Sequence, residues 1–358
     1  MGRILGLDGI RAYAAITVVL LHLQLFIHWY YEESPLYSLI RHGVEIFFVL
    51  SGYLITHLLL LEKKHFGDID LKKFWARRFL RIFPLFYLFI FSVILVSILF
   101  ETETSLKQIF ISAIYGFNFI PRSDYSILLA HTSTLAIEEH FYIIWPPVLI
   151  LMLKKSASLE KILLFLISFF IILEVFNNHL IFQTKLGTEY FVERWTTSAA
   201  VYLLTGCIGA VLTHTKVWKR WNSSWGLSII LVILFACGFF VEFWYSGHPI
   251  ILRDFRMVGI LSGILWIICN QNSILVRFLE WAPLSYLGKV SYGIYIWQGF
   301  YLATEPRRAV GQDWPLSDPY IAVLLLSITV PISYHLFEKR FLKLKQNYRR
   351  SSTPLENE

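Results

Sequence analysis

Arg11 and His22 close the two ends of "RAYAAITVVLLH", an otherwise apolar stretch. If the stretch is helical, a rise of ~1.5 Å per residue sets the imidazole roughly 16 Å beyond the guanidinium. That is about half of a bilayer core of ~30 Å, so the histidine falls near the midplane and the arginine near one edge. An ionisable side chain at such depth is costly and marks a functional site by default. A neutral imidazole there can accept a proton from a hydroxyl. The plainer reading is an anchoring arginine and a histidine bonded to a neighbouring helix.

"WARRFLRIFP" carries Arg77, Arg78 and Arg81, of which Arg78 and Arg81 share a helix face at i, i+3. Guanidinium forks at that spacing suit phosphate, bidentately and with a fixed direction. The simpler role is a positive-inside signal in contact with lipid headgroups. "TSTLAIEEHFYIIWPP" brings Glu138 and Glu139 into an apolar helix, with Glu138, Tyr142 and Trp145 on one face at i, i+4 and i+7. Adjacent acids at a helix start can complement the dipole; these two point in different directions, so at least one is expected to face the interior. "RHGVEIFFVLSGYLIT" puts Glu45 at the outer end of a span, where it would line an outer vestibule. Ser51-Gly52, and Gly206 with Gly209, read as helix packing.

The elements that must position these groups are membrane helices. The 358 residues are 56% hydrophobic and 16% charged, against about 25% charge in soluble domains. Apolar runs at 12–31, 43–61, 80–100, 137–153, 160–177, 196–213, 226–245, 256–270, 287–304 and 319–338 predict an all-α polytopic bundle of about ten transmembrane helices. Ten crossings put nearly every strongly basic loop and both termini on the cytoplasmic side, in a multi-pass protein of the cell (inner) membrane. The short piece 106–120 is then interfacial or dips in from outside. Residues 1–342 form the membrane domain, and 343–358 a polar cytoplasmic tail expected to be disordered. The net charge of +7 is accounted for by those loops and needs no nucleic acid. Cys207, Cys237 and Cys269 lie inside apolar runs without CxxC spacing, which argues against a disulfide framework or a zinc site; no bound metal or cofactor is expected. No cleaved signal peptide is expected either, since the first apolar run lacks a small-residue cleavage site.

Taken together, the stretches resemble the acyltransferase-3 family of integral membrane acyltransferases. "LGLDGIRAYAAITVVLLH" is similar to its N-terminal signature, "GVEIFFVLSGYLIT" to its second span, "WARRFLRIFPLFY" to its arginine motif and "TLAIEEHFYIIWP" to its Ser-Leu-x-x-Glu-x-x-Phe-Tyr stretch. "LGKVSYGIYIWQ" and "YHLFEKRF" match the closing spans. Thr134 replaces the usual serine and keeps a hydroxyl; Gln298 stands where a histidine is common.

The resemblance implies transfer of an acyl group, often acetyl, from cytoplasmic acyl-CoA to a hydroxyl of a surface glycan or glycoside. On that reading Arg77, Arg78 and Arg81 hold the donor's phosphates, and His22 deprotonates the acceptor or first takes the acyl group itself. Arg11 steadies the donor or the developing negative charge, and Glu138 orients His22 or binds the sugar. Glu45 and Tyr142 fall on the acceptor side. Some relatives carry an extracytoplasmic domain that hands over the group. This sequence shows none, so the expectation is transfer finished within the bundle or with a separate extracytoplasmic partner. The competing class is a transporter or flippase of a lipid-linked sugar, which also needs intramembrane His, Glu and Arg; a scaffold in which they merely pack is the third. Thioester cleavage dependent on His22 separates the enzyme from both.

Overall fold

Helix boundaries follow the chain's capping residues. The computed structural model describes residues 4–26, 41–100, 102, 104–126, 128–154, 158–244, 249–302, 318–348 and 350. Helix α1 (Leu7–Phe26) is followed by α2 (Gly43–Phe66). The latter stops at Gly67, whose φ of 78° allows the left-handed turn that returns its N–H to the Lys63 carbonyl. Asp70 then caps α3 (Leu71–Leu99), its carboxylate accepting from the Lys73 amide at 3.0 Å. Pro84 lies inside α3, where it removes a helical hydrogen bond. Close by, the Tyr292 hydroxyl donates to the Ile82 carbonyl at 2.9 Å.

The piece at 106–120 resolves into α4 (Leu106–Ala113), held by a Ser105–Gln108 capping box, and a 3-10 turn at Phe117–Phe119. Eight residues rise only about 12 Å, too little to cross a bilayer. Next come α5 (Thr132–Lys154), α6 (Leu159–Gln183), α7 (Thr196–His214), α8 (Trp225–Trp244) and α9 (Pro249–Cys269). The last part holds α10 (Ala282–Lys289), α11 (Ser291–Tyr301) and α12 (Pro319–Ile332). Apart from an isolated bridge between Pro121 and Tyr190, the regular structure among the described residues is helical. Five stretches there are long and apolar enough to cross a membrane: α2, α3, α5, α7 and Pro319–Tyr348.

Several boundaries differ from the hydropathy reading, and three of them shape the interior. The span expected at 287–304 is broken at Val290 into α10 and α11, with 303–304 outside the described residues. Helix α5 begins at Thr132 rather than 137, and it begins inside the protein: His131, Thr132 and Ser133 are all buried beneath the segment that carries α4. The tail expected to be disordered from 343 is helical at its start. After a π-helical turn at Ser333–Glu338, helix Lys339–Leu344 leads to a 3-10 turn at Lys345–Tyr348. The Tyr348 carbonyl accepts from Arg77 at 2.8 Å, and Arg350 pairs with Asp68 at 2.9 Å.

The glycine readings hold. A Cβ at Gly52 would strike the Leu203 backbone, and one at Gly206 the backbone of Val49 and Tyr53. These glycines let α2 and α7 touch main chain to main chain. That contact fixes the face of α2 from which Ser51 projects.

Candidate active site

Five helices (α1, α2, α3, α5 and α11) line a cavity of about 80 Å³. Its charged wall is Arg11, Arg78, Arg81, Glu138 and Glu139. Hydroxyls of Ser51, Thr134, Tyr142, Ser291, Tyr292 and Tyr295 complete the polar lining.

The face of α5 expected from sequence is the face that meets α2. The Ser51 hydroxyl donates to Glu138 Oε1 at 2.8 Å and accepts from the Tyr142 hydroxyl at 3.3 Å. One turn on, the Trp145 indole donates to Thr56 Oγ1 at 2.8 Å. The Arg78 guanidinium lies 5.0 Å over the Tyr142 ring, and the Trp75 indole donates to the Tyr142 carbonyl at 3.0 Å. Arg11 pairs with Asp8 at 3.2 Å. At the far end the Thr134 and Tyr295 hydroxyls bond to each other. Thr134 also donates to the His131 carbonyl at 2.7 Å.

Three guanidinium groups and two carboxyl groups share this small space. A carbonyl placed there would meet preorganised cations and hydroxyl donors, the arrangement that stabilises an oxyanion in acyl transfer. Glu139 is 5% exposed and its Oε1 has no hydrogen-bond partner among the described residues. No group of three or more metal-ligating side chains is gathered among the described residues.

Of the eight residues singled out from sequence, five line this cavity: Arg11, Arg78, Arg81, Glu138 and Tyr142. Ten crossings with the basic loops inside set the arginines at the inner mouth of one span and Glu138 near the outer start of another. They meet because α5 starts within the protein, which sets Glu138 deeper than a helix beginning at the surface would. The other three lie outside it. Arg77 is held by Glu62 at 3.4 Å and by the Tyr348 carbonyl. Glu45 belongs to a network that ties α2 to α7 and α9, with Tyr202 at 3.0 Å, His42 at 3.0 Å and Arg256 at 3.4 Å.

His22 is not a lining residue. Its Nδ1 lies 2.8 Å from the Val18 carbonyl; a carbonyl oxygen only accepts, so Nδ1 carries the proton and the neutral ring's lone pair is on Nε2. His131 is buried against Phe89 and Tyr295, and neither of its ring nitrogens has a hydrogen-bond partner among the described residues. The polar groups thus run from three arginines, through the acids and hydroxyls of the cavity, to the Thr134–Tyr295 contact, with His131 packed beyond it on the Tyr295 ring.

Sequence reasoning passed over Ser51, assigned to packing, as well as Tyr292, Tyr295 and His131. The i, i+3 spacing of Tyr292 and Tyr295 in "SYGIY" is a readable signal, since both fall on one helix face. Nothing local marks His131.

This chain belongs to the acyltransferase-3 family: the family's profile, described as an acyltransferase domain, matches residues 4–338. Among its relatives, YrhL of Bacillus subtilis is 30% identical over 93% of this chain and 54% of its own. The peptidoglycan O-acetyltransferase OatA of Listeria monocytogenes is 31% identical over 81% of this chain and 48% of its own. The O-acetyltransferase OatA of Staphylococcus aureus is 29% identical over 93% and 56%. The chain spans about half the length of these curated relatives. No solved structure matches it.

Proposed function

We propose that this chain is a multi-pass O-acyltransferase of the cell membrane that moves an acetyl group from cytoplasmic acyl-CoA to a hydroxyl of a surface glycan, with peptidoglycan the foremost acceptor class. The observation that carries the reading is the convergence of Arg11, Arg78 and Arg81 with Glu138 and Tyr142 on one cavity. Its volume of about 80 Å³ suits the three heavy atoms of an acetyl group and not a sugar. The names of the relatives support both the acetyl group and the glycan.

In this mechanism the donor approaches from the arginine side and lays its thioester carbonyl in the cavity, where Arg11, Arg78 and the tyrosine hydroxyls stabilise the oxyanion. The acceptor approaches from the imidazole side. His22 Nε2 takes the proton of the attacking hydroxyl, the new C–O bond forms, the C–S bond breaks, and the proton passes to the departing thiolate. Donor and acceptor meet without either crossing the bilayer. The Thr134–Tyr295 contact lies between the two halves, so it opens during turnover. In a variant of the scheme, His22 first accepts the acetyl group as an acyl-imidazole that the hydroxyl then attacks.

Inverted membrane vesicles loaded with glycan test the reading. Acetyl-CoA labelled on its acetyl group should label the glycan with the native chain and not with His22→Ala. Equal transfer by both would remove His22 from the mechanism, and no thioester loss with either would remove acetyl-CoA as donor. A labelled protein adduct formed without acceptor, and absent in His22→Ala, would select the acyl-imidazole route.

A further inference from the structure

A second cavity, of about 380 Å³, adjoins the first at its arginine end, and Arg11 and Arg81 line both. Its remaining charged wall is Asp8, Lys289, Glu338 and Lys345. Four basic side chains therefore face two acidic ones. Both carboxylates have partners within the wall: Asp8 pairs with Arg11 at 3.2 Å, and Glu338 accepts from the Ser333 hydroxyl at 3.2 Å. Neither lysine has an ion-pair partner among the described residues.

The fold works to bring these basic side chains together. A Cβ at Gly288 would run into the Asp8 carbonyl, so the glycine lets α10 lie against α1 and carries Lys289 to the side of Arg11. The π-helical turn at Ser333–Glu338 resets the register of the C-terminal helix. Tyr334, Glu338, Leu342 and Lys345 then all face the cavity, at spacings of four, four and three. Beyond them the chain is pinned, with Arg350 paired to Glu62 at 3.4 Å and to Asp68 at 2.9 Å. Lys345 is therefore carried on a fixed wall and not on a loose tail. Like charges gathered in a concavity repel one another unless a polyanion occupies it.

We propose that this cavity is the docking site for the diphosphate of the nucleotide-bearing thioester donor, with Lys289 and Lys345 as its phosphate contacts. Arg11 and Arg81 stand where the donor's arm passes inward to the acyl cavity. The inference rests on the acyl-CoA reading above and adds residues to it that no comparison assigns.

Binding to the purified full chain, in nanodiscs of phosphatidylcholine alone so that no anionic headgroup competes, tests it. The probes are acetyl-CoA, inorganic pyrophosphate and acetyl-pantetheine, which carries the thioester without the nucleotide. Lys289→Ala and Lys345→Ala should each weaken acetyl-CoA about tenfold, the size of one charge-assisted contact. Acetyl-pantetheine binding should not change, and Lys345→Arg should restore acetyl-CoA affinity. Acetyl-pantetheine also controls for folding, because a collapsed variant would lose it too. Native chain and double variant binding acetyl-CoA alike would overturn the site while sparing the donor reading. Lysine-dependent pyrophosphate binding without acetyl-CoA binding would keep the anion site and end the acyl-CoA reading. A native chain that binds neither would overturn both.

Discussion

Ser51→Ala removes one oxygen from the wall of the acyl cavity and leaves the adjacent helix contact at Gly52 untouched. In the native protein that oxygen donates to Glu138 at 2.8 Å and accepts from Tyr142 at 3.3 Å, so it sets both side chains. The bond to the carboxylate is the shorter of the two. Hydrogen bonds to charged groups contribute about 1.5–3 kcal/mol, which is roughly a 10- to 150-fold loss of rate if all of it is realised in the transition state. Acetyl transfer from labelled acetyl-CoA, followed in proteoliposomes, should fall within that range while the melting temperature barely moves. Gly52→Ala should do the reverse. Its new Cβ meets the Leu203 main chain, which cannot rotate away, and overpacking of this kind costs about 1–3 kcal/mol. Low yield and early melting are expected of it. Ser51→Ala with native transfer, or with melting as early as Gly52→Ala, would refute the reasoning and return Ser51 to a packing role.

Glu45→Gln should lower the melting temperature without lowering transfer per folded molecule, because it weakens a partly buried network with His42, Tyr202 and Arg256 at a cost of about 1–3 kcal/mol; comparing thermal shift with specific activity checks this. His131→Phe keeps the ring volume beside Phe89 and deletes two nitrogens that bond to none of the described residues. If His131 only packs, the change is neutral or stabilising. If it works with His22, transfer drops by about a hundredfold at unchanged stability.

Helix periodicity was enough to pair Arg78 with Arg81 and to place Glu138, Tyr142 and Trp145 on one face, because spacing within a helix is a local property. Small residues at 52 and 206 marked a helix contact for the same reason. Which neighbour each face receives is not local, and there the sequence fell silent. Glu45 looks like a vestibule acid until Arg256 and Tyr202 are folded onto it. Arg77 looks like a third phosphate ligand until the C-terminal turn takes it. The depth of Glu138 depends on α5 starting under a covering segment, and hydropathy does not report where in the bundle a helix begins. Tyr295 and His131 carry no local signal because their neighbours lie far along the chain, Thr134 for the one and Phe89 and Tyr295 for the other.

The wall of the cavity at the arginine end joins Arg11, on the first helix, to Lys345, far along the sequence. A chain still being threaded into the membrane has the first and lacks the last, and the acyl cavity likewise waits for Tyr292 and Tyr295. Neither chamber is closed until its last wall residue has joined the bundle, Tyr295 for the one and Lys345 for the other. Both are therefore properties of the assembled helices and of no single segment.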